Sequence, residues 1–120
     1  AKAVQDAPWW QRKRERLLET FGRREAAYVY DLDTVEDCAR RLLALKSIDR
    51  VHYAMKANPY APVLAQLHAL GLGFDCVSRG EVEHLQRHVP AVDLAKVIYT
   101  PNFAPRAEYE WALGEGLRVT

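Results

Sequence analysis

The chain has 120 residues, 49% of them apolar and 28% charged, the proportions of one ordinary folded domain rather than a disordered or fibrous chain. Its 17 Lys and Arg nearly balance its 16 Asp and Glu, for a formal net charge of +1, which argues against a nucleic-acid arm or a polybasic membrane patch. No apolar run approaches the roughly 18 residues of a membrane span, no signal-peptide pattern opens the chain, and Cys38 and Cys76 match neither a disulfide framework nor a zinc spacing, so a soluble cytoplasmic protein is expected.

In chain order, Asp6-Ala-Pro8-Trp9-Trp10 opens a helix signal, with Asp6 as cap and Pro8 in the first turn. Trp9, Leu17, Leu18 and Phe21 lie among charged residues, and Gly22 offers a stop, so residues 1–25 read as a leader helix or linker. Ala27-Tyr-Val-Tyr30 is β-branched and aromatic and reads as a strand. Asp33-Thr-Val-Glu36 resembles a capping box and predicts a helix to about Leu45. Arg50-Val-His-Tyr-Ala-Met55 alternates as a second strand, and residues 62–70 are helical up to Gly71. Gly73-Phe-Asp-Cys-Val77 is a third strand, and Ser78-Arg-Gly-Glu81 is a second capping box that opens a helix to about His88. Lys96-Val-Ile-Tyr-Thr100 is a fourth strand, residues 106–113 are helical, and Leu117-Arg-Val-Thr120 begins a fifth strand.

Strand centres recur every ~21–25 residues, the length of one strand, one helix and two short loops. Intervening helices are what parallel strands require, so the fold class is α/β with a parallel sheet. A (β/α)8 barrel is the first candidate and a doubly wound sheet the second; neither Gly-x-Gly-x-x-Gly nor a phosphate-loop Gly-Lys-Ser/Thr is present. A whole barrel needs about 250 residues. The chain therefore reads as the N-terminal portion of a TIM barrel, truncated, with residues 26–120 as its first half. Open sheet edges in such a piece predict poor solubility or self-association.

Catalytic groups of a barrel gather at the carboxyl ends of its strands. Alternation places His52, Ala54 and Lys56 on one face, with Val51, Tyr53 and Met55 on the other. A lysine on an inward strand end would be desolvated, leaving a nucleophilic amine able to form a Schiff base with a carbonyl. The alternative is a lysine that extends out of the barrel mouth. Asp75, inside an apolar run, needs a partner, and Lys56 on the next strand is the natural one, either in a cofactor site or as a structural ion pair. His84 and His88 share a helix face at metal-ligand spacing without a third ligand, and Cys76 reads as an apolar filler.

Tyr53-Ala-Met-Lys-Ala-Asn58 resembles the Tyr-Ala-x-Lys-Ala-Asn signature of the fold type III pyridoxal-phosphate decarboxylases, whose barrel is shared with alanine racemase. Gly71-Leu-Gly-Phe-Asp-Cys-Val-Ser-Arg-Gly-Glu81 is similar to that family's next block, and Ile98-Tyr-Thr-Pro-Asn102 falls where the third block stands. The resemblance implies a pyridoxal 5'-phosphate enzyme in which Lys56 forms the Schiff base and Asp75 and Ala54 border the cofactor. It further implies a small amino-acid substrate, no nucleic-acid or membrane partner, a homodimer in the full-length parent, and a strand at residues 27–30 that joins a second, β domain. The unbroken Lys-Ala-Asn looks most like the diaminopimelate branch, with ornithine or arginine decarboxylases and non-catalytic cofactor-binding barrels as alternatives. The Pro8-Trp9-Trp10 leader and Thr100-Pro-Asn-Phe-Ala-Pro-Arg106 resemble a bacterial subgroup in which an aspartate kinase precedes the decarboxylase. Two departures stand out: Arg79 replaces a common glycine, and Thr100-Pro-Asn replaces a Gly-Asn or Ala-Asn block.

Overall fold

A computed structural model describes residues 7–23 and 26–120. Asp6, the expected first cap, lies outside the described residues. Two short helices, α1 (Trp9–Arg12) and α2 (Arg14–Phe21), form the leader and are separated at Lys13, whose backbone leaves helical geometry. Lys13 is tied down instead: its ammonium reaches Asp31 at 2.5 Å and Asp33 at 3.0 Å, fastening the leader to the start of the next helix.

Residues 26–31 are neither helical nor paired as a strand, which corrects the expectation at residues 27–30. The run has strand propensity but meets no partner edge among the described residues, and Tyr28 is 92% exposed. Propensity without cross-strand packing does not make a strand. Helix α3 (Leu32–Leu43) starts before the expected box at Asp33. Asp31 sits at its cap position, held by Lys13 and by the Thr34 hydroxyl at 2.7 Å. Glu36 does not reach back; it accepts from Arg40 at 2.8 Å and from Gln66.

The repeating part follows as β1 (His52–Ala54), α4 (Ala61–Ala69), β2 (Gly73–Cys76), α5 (Arg79–His88), β3 (Val97–Tyr99), α6 (Arg106–Gly114) and β4 (Arg118–Val119). Pro62 sits in the first turn of α4, where its missing N–H costs nothing. The turns after α4 and α6 use Gly71 (φ 88°) and Gly116 (φ 78°), the left-handed conformation glycine adopts without strain. The capping box of α5 forms: the Ser78 hydroxyl accepts from the Glu81 N–H at 3.2 Å, and the Glu81 carboxylate accepts from the Val77 N–H at 2.8 Å.

All four strands are parallel and stand in chain order, β1-β2-β3-β4. Order without a reversal is that of a barrel arc; a doubly wound sheet switches direction at a central strand. Phe74 and Cys76 of β2 and Val97 and Tyr99 of β3 are fully buried, and Leu64 of α4 and Val82 and Leu85 of α5 join them in one core. The opposite face carries a register row of Ala54, Asp75, Ile98 and Arg118, none of them buried. That face is the lumen side of the arc. The molecule is extended, with a radius of gyration of 17.7 Å against about 13.6 Å for a compact chain of this length.

Candidate cofactor site at the carboxyl edge of the sheet

Because the strands are parallel, the segments that follow them emerge on one edge: Lys56 after β1, Ser78 after β2, Thr100 after β3. Lys56 does not continue the strand. The chain turns at Met55–Ala57 into one turn of 3-10 helix, so strict alternation ends at Ala54. Met55 plugs the core, fully buried, while Lys56 is exposed. Of the two readings of Lys56, the structure takes the one in which the side chain extends to solvent, because alternation has ended before it in the turn Met55–Ala57.

The loop that carries Lys56 is held from several sides. The Tyr53 hydroxyl donates to the Asn58 carbonyl at 3.2 Å, and the Asn58 side chain accepts from the Tyr60 N–H at 3.0 Å, closing an Asx turn. A ring nitrogen of His84 lies 2.9 Å from the Pro59 carbonyl, joining the loop to α5. The rings of Tyr30 and Tyr60 pack at 5.2 Å. Burial first, then Tyr30, pushes the Tyr53 phenol up, so it stays a donor. Tyr53 and Asn58, the outer residues of the lysine motif, thus set the turn on which the lysine stands.

Asp75 points to the lumen side, half-buried in the row with Ala54. The expected Lys56–Asp75 ion pair is not formed: among the described residues no cation lies within ion-pair distance of Asp75. Its partner is the Thr100 hydroxyl, which donates to Oδ1 at 2.6 Å. The sequence reading missed this contact, although alternation from Ile98 places Thr100 on the face of Asp75.

The remaining candidates separate clearly. Cys76 is buried with its Sγ 3.7 Å from the Met55 sulfur, and burial pushes its thiol up to about 12, so it is a protonated filler. His52 lies over Gly73, and its pKa is lowered by burial, then by Arg118 and Arg50, with Asp75 opposing. The His84 and His88 rings pack at a tilt with their centres 4.4 Å apart, and no group of three potential ligands gathers for a metal among the described residues.

Comparison with known proteins gives the family. A family model described as "Pyridoxal-dependent decarboxylase, pyridoxal binding domain" matches residues 32–120. A diaminopimelate decarboxylase of Neisseria meningitidis is 34% identical over 107 residues, 86% of this chain and 24% of that protein. Mouse ornithine decarboxylase is 32% identical over 99 residues, 80% of this chain and 20% of that protein. Among solved structures, a lysine/ornithine decarboxylase from Vibrio vulnificus complexed with putrescine superposes with a TM-score of 0.69 at 30% identity, covering 88% of this chain and 28% of that one. The chain thus spans about a quarter, or less, of the relatives it matches. No helix among the described residues is long and apolar enough to cross a membrane. With a parallel barrel arc, a lysine turn at its carboxyl edge and the family match over residues 32–120, the chain belongs to the pyridoxal-dependent decarboxylases, within their pyridoxal-binding domain.

Proposed function

We propose that this chain is the first part of a pyridoxal-phosphate-dependent amino-acid decarboxylase acting on meso-diaminopimelate, in which Lys56 anchors the cofactor. The observation that carries the reading is the placement of Lys56, exposed on a braced turn at the carboxyl edge of the sheet, inside the matched region. The residues present fit such a group. The lumen floor beside the lysine is Ala54, whose methyl leaves room, and one oxygen of the Asp75 carboxylate is bonded to Thr100. The Lys56 amine attacks a carbonyl carbon only when unprotonated and is then the covalent anchor. Asp75 contributes negative charge to the same face, and Ala54 borders the space between them. When bound, the cofactor supplies the electron sink that accepts the pair left as carbon dioxide departs.

In this reading the segment works within a longer homodimeric, cytoplasmic enzyme of lysine biosynthesis and is inactive alone, with residues 1–25 as a leader that follows an aspartate kinase. The diaminopimelate assignment is supported by the unbroken Lys56-Ala-Asn58 and by the Neisseria relative. The mouse relative favours a second reading, ornithine as substrate. The full-length protein, loaded with pyridoxal phosphate, should release carbon dioxide from meso-diaminopimelate and lose that activity in Lys56→Ala. Release from ornithine or arginine alone would move it to the sister branch, and a Lys56→Ala protein with full function would indicate a non-catalytic cofactor-binding barrel.

A further inference from the structure

Asp75 is a half-buried carboxylate whose side-chain partner among the described residues is a neutral hydroxyl. On the open face of the sheet water can satisfy such a carboxylate from many directions, so a protein donor bonded to one oxygen is what gives it a fixed orientation. The donor is Thr100, at 2.6 Å, in the short range of charge-assisted O–H···O bonds. Two features make it a rigid one. Its own N–H donates to the Cys76 carbonyl at 2.9 Å, clamping residue 100 to the strand that carries Asp75. Its β-branched side chain also has few rotamers to lose. The hydroxyl engages Oδ1, and Asp75 stands in register with Ala54, two residues before Lys56 on the neighbouring strand.

We propose that Thr100 is a positioning residue of the cofactor site, fixing the direction in which Asp75 presents its negative charge to whatever Lys56 holds. Thr100 touches no reacting atom in this account; it acts through Asp75. The inference rests on the reading of Lys56 and Asp75 given above, and its test separates the two.

In the full-length protein, affinity for pyridoxal phosphate and the visible absorption band of the bound cofactor are compared for wild type, Thr100→Val, Thr100→Ser, Asp75→Asn and Thr100→Val/Asp75→Asn. Removing the hydroxyl while keeping the shape should weaken cofactor binding roughly five- to tenfold and alter the band, while serine stays within about twofold of wild type. In the Asp75→Asn background, Thr100→Val should add almost nothing, as expected of residues acting as one unit. Thr100→Val equal to wild type, or an undiminished effect in the Asp75→Asn background, overturns the inference while leaving the cofactor reading intact. Asp75→Asn with wild-type affinity overturns the inference and the role given to Asp75, while loss of cofactor binding in Lys56→Ala tests the cofactor reading separately. If Thr100→Val does not fold, the same comparison is read from Thr100→Ala, with a melting curve for each protein.

Discussion

An alanine in place of Gly73 would carry a methyl carbon 2.5 Å from the Lys96 carbonyl oxygen and 2.5 and 2.8 Å from Cδ2 and Nε2 of His52. Non-bonded carbons settle roughly 3.5–4.0 Å from their neighbours, so the methyl needs about 1 Å more room. The His52 ring can rotate aside. The Lys96 carbonyl cannot, because it is backbone one residue before β3, and Gly73 is itself pinned by its N–H donating to the Val51 carbonyl at 3.0 Å. Overpacking of this kind costs about 1–3 kcal/mol, and a backbone opponent on one side places Gly73→Ala at the upper end. At about 4 °C per kcal/mol for a chain of this size, Tm should fall by roughly 8–12 °C. Thermal unfolding followed by far-UV circular dichroism measures the Tm and urea unfolding the free energy, with His52→Ala/Gly73→Ala as the control. The double variant should recover part of the loss, since the carbonyl remains. A Gly73→Ala protein within about 0.5 kcal/mol of wild type, or full recovery in the double variant, would refute the packing argument.

Alkaline pH should unfold the protein early. The Cys76 thiol is raised from 9.0 to about 12 by burial, then by Glu81 and Asp75, and the Tyr99 phenol from 10.0 to about 12 by burial, then by Glu108. The folded chain holds these protons more tightly than the unfolded one, so this stability is complete below pH 9.0 and is lost as pH rises toward 12; a urea midpoint unchanged between pH 8 and 11 would contradict it. Thiol labelling of the folded protein at pH 8 should modify exposed Cys38 and spare Cys76, and rapid labelling of both would show the core to be open. Ser78→Ala removes the side-chain acceptor at the start of α5 and should cost about 1 kcal/mol in the same unfolding assay, with an unchanged midpoint arguing that the cap is redundant. The outer edges of β1 and β4 are unpaired among the described residues, so sizing chromatography of the 120-residue chain should show self-association, against which a sharp monomer peak would count.

What could be seen beforehand and what could not divides along range. The strand–helix beat from residue 50 onward is local: glycine stops and the Ser78–Glu81 cap act within one turn and formed, and alternation located each strand although the first ends at Ala54. Helix α3 starts before the expected box at Asp33, with Asp31 at its cap position bonded to Lys13, 18 residues away, a contact no local pattern announces. Residues 27–30 have the right side chains for a strand, yet a strand exists only where an edge receives it. At the site, the lysine motif identified the turn, but periodicity of two carried Lys56 onto the strand face when the chain had already begun to coil at Met55. Charge complementarity paired Asp75 with Lys56, while the fold supplied a hydroxyl from the neighbouring strand instead. Local chemistry was readable; the choice among partners brought together by register was not.

The covalent attachment point is the most direct test of the account. The full-length protein is incubated with pyridoxal phosphate, reduced with borohydride, digested and analysed by mass spectrometry. The account predicts a reduced pyridoxyl group on the peptide containing Tyr53-Ala-Met-Lys-Ala-Asn58, on Lys56 and lost in Lys56→Ala. Stoichiometric label on another lysine, such as Lys96 at the opposite edge of the sheet, or no label at all, would contradict it.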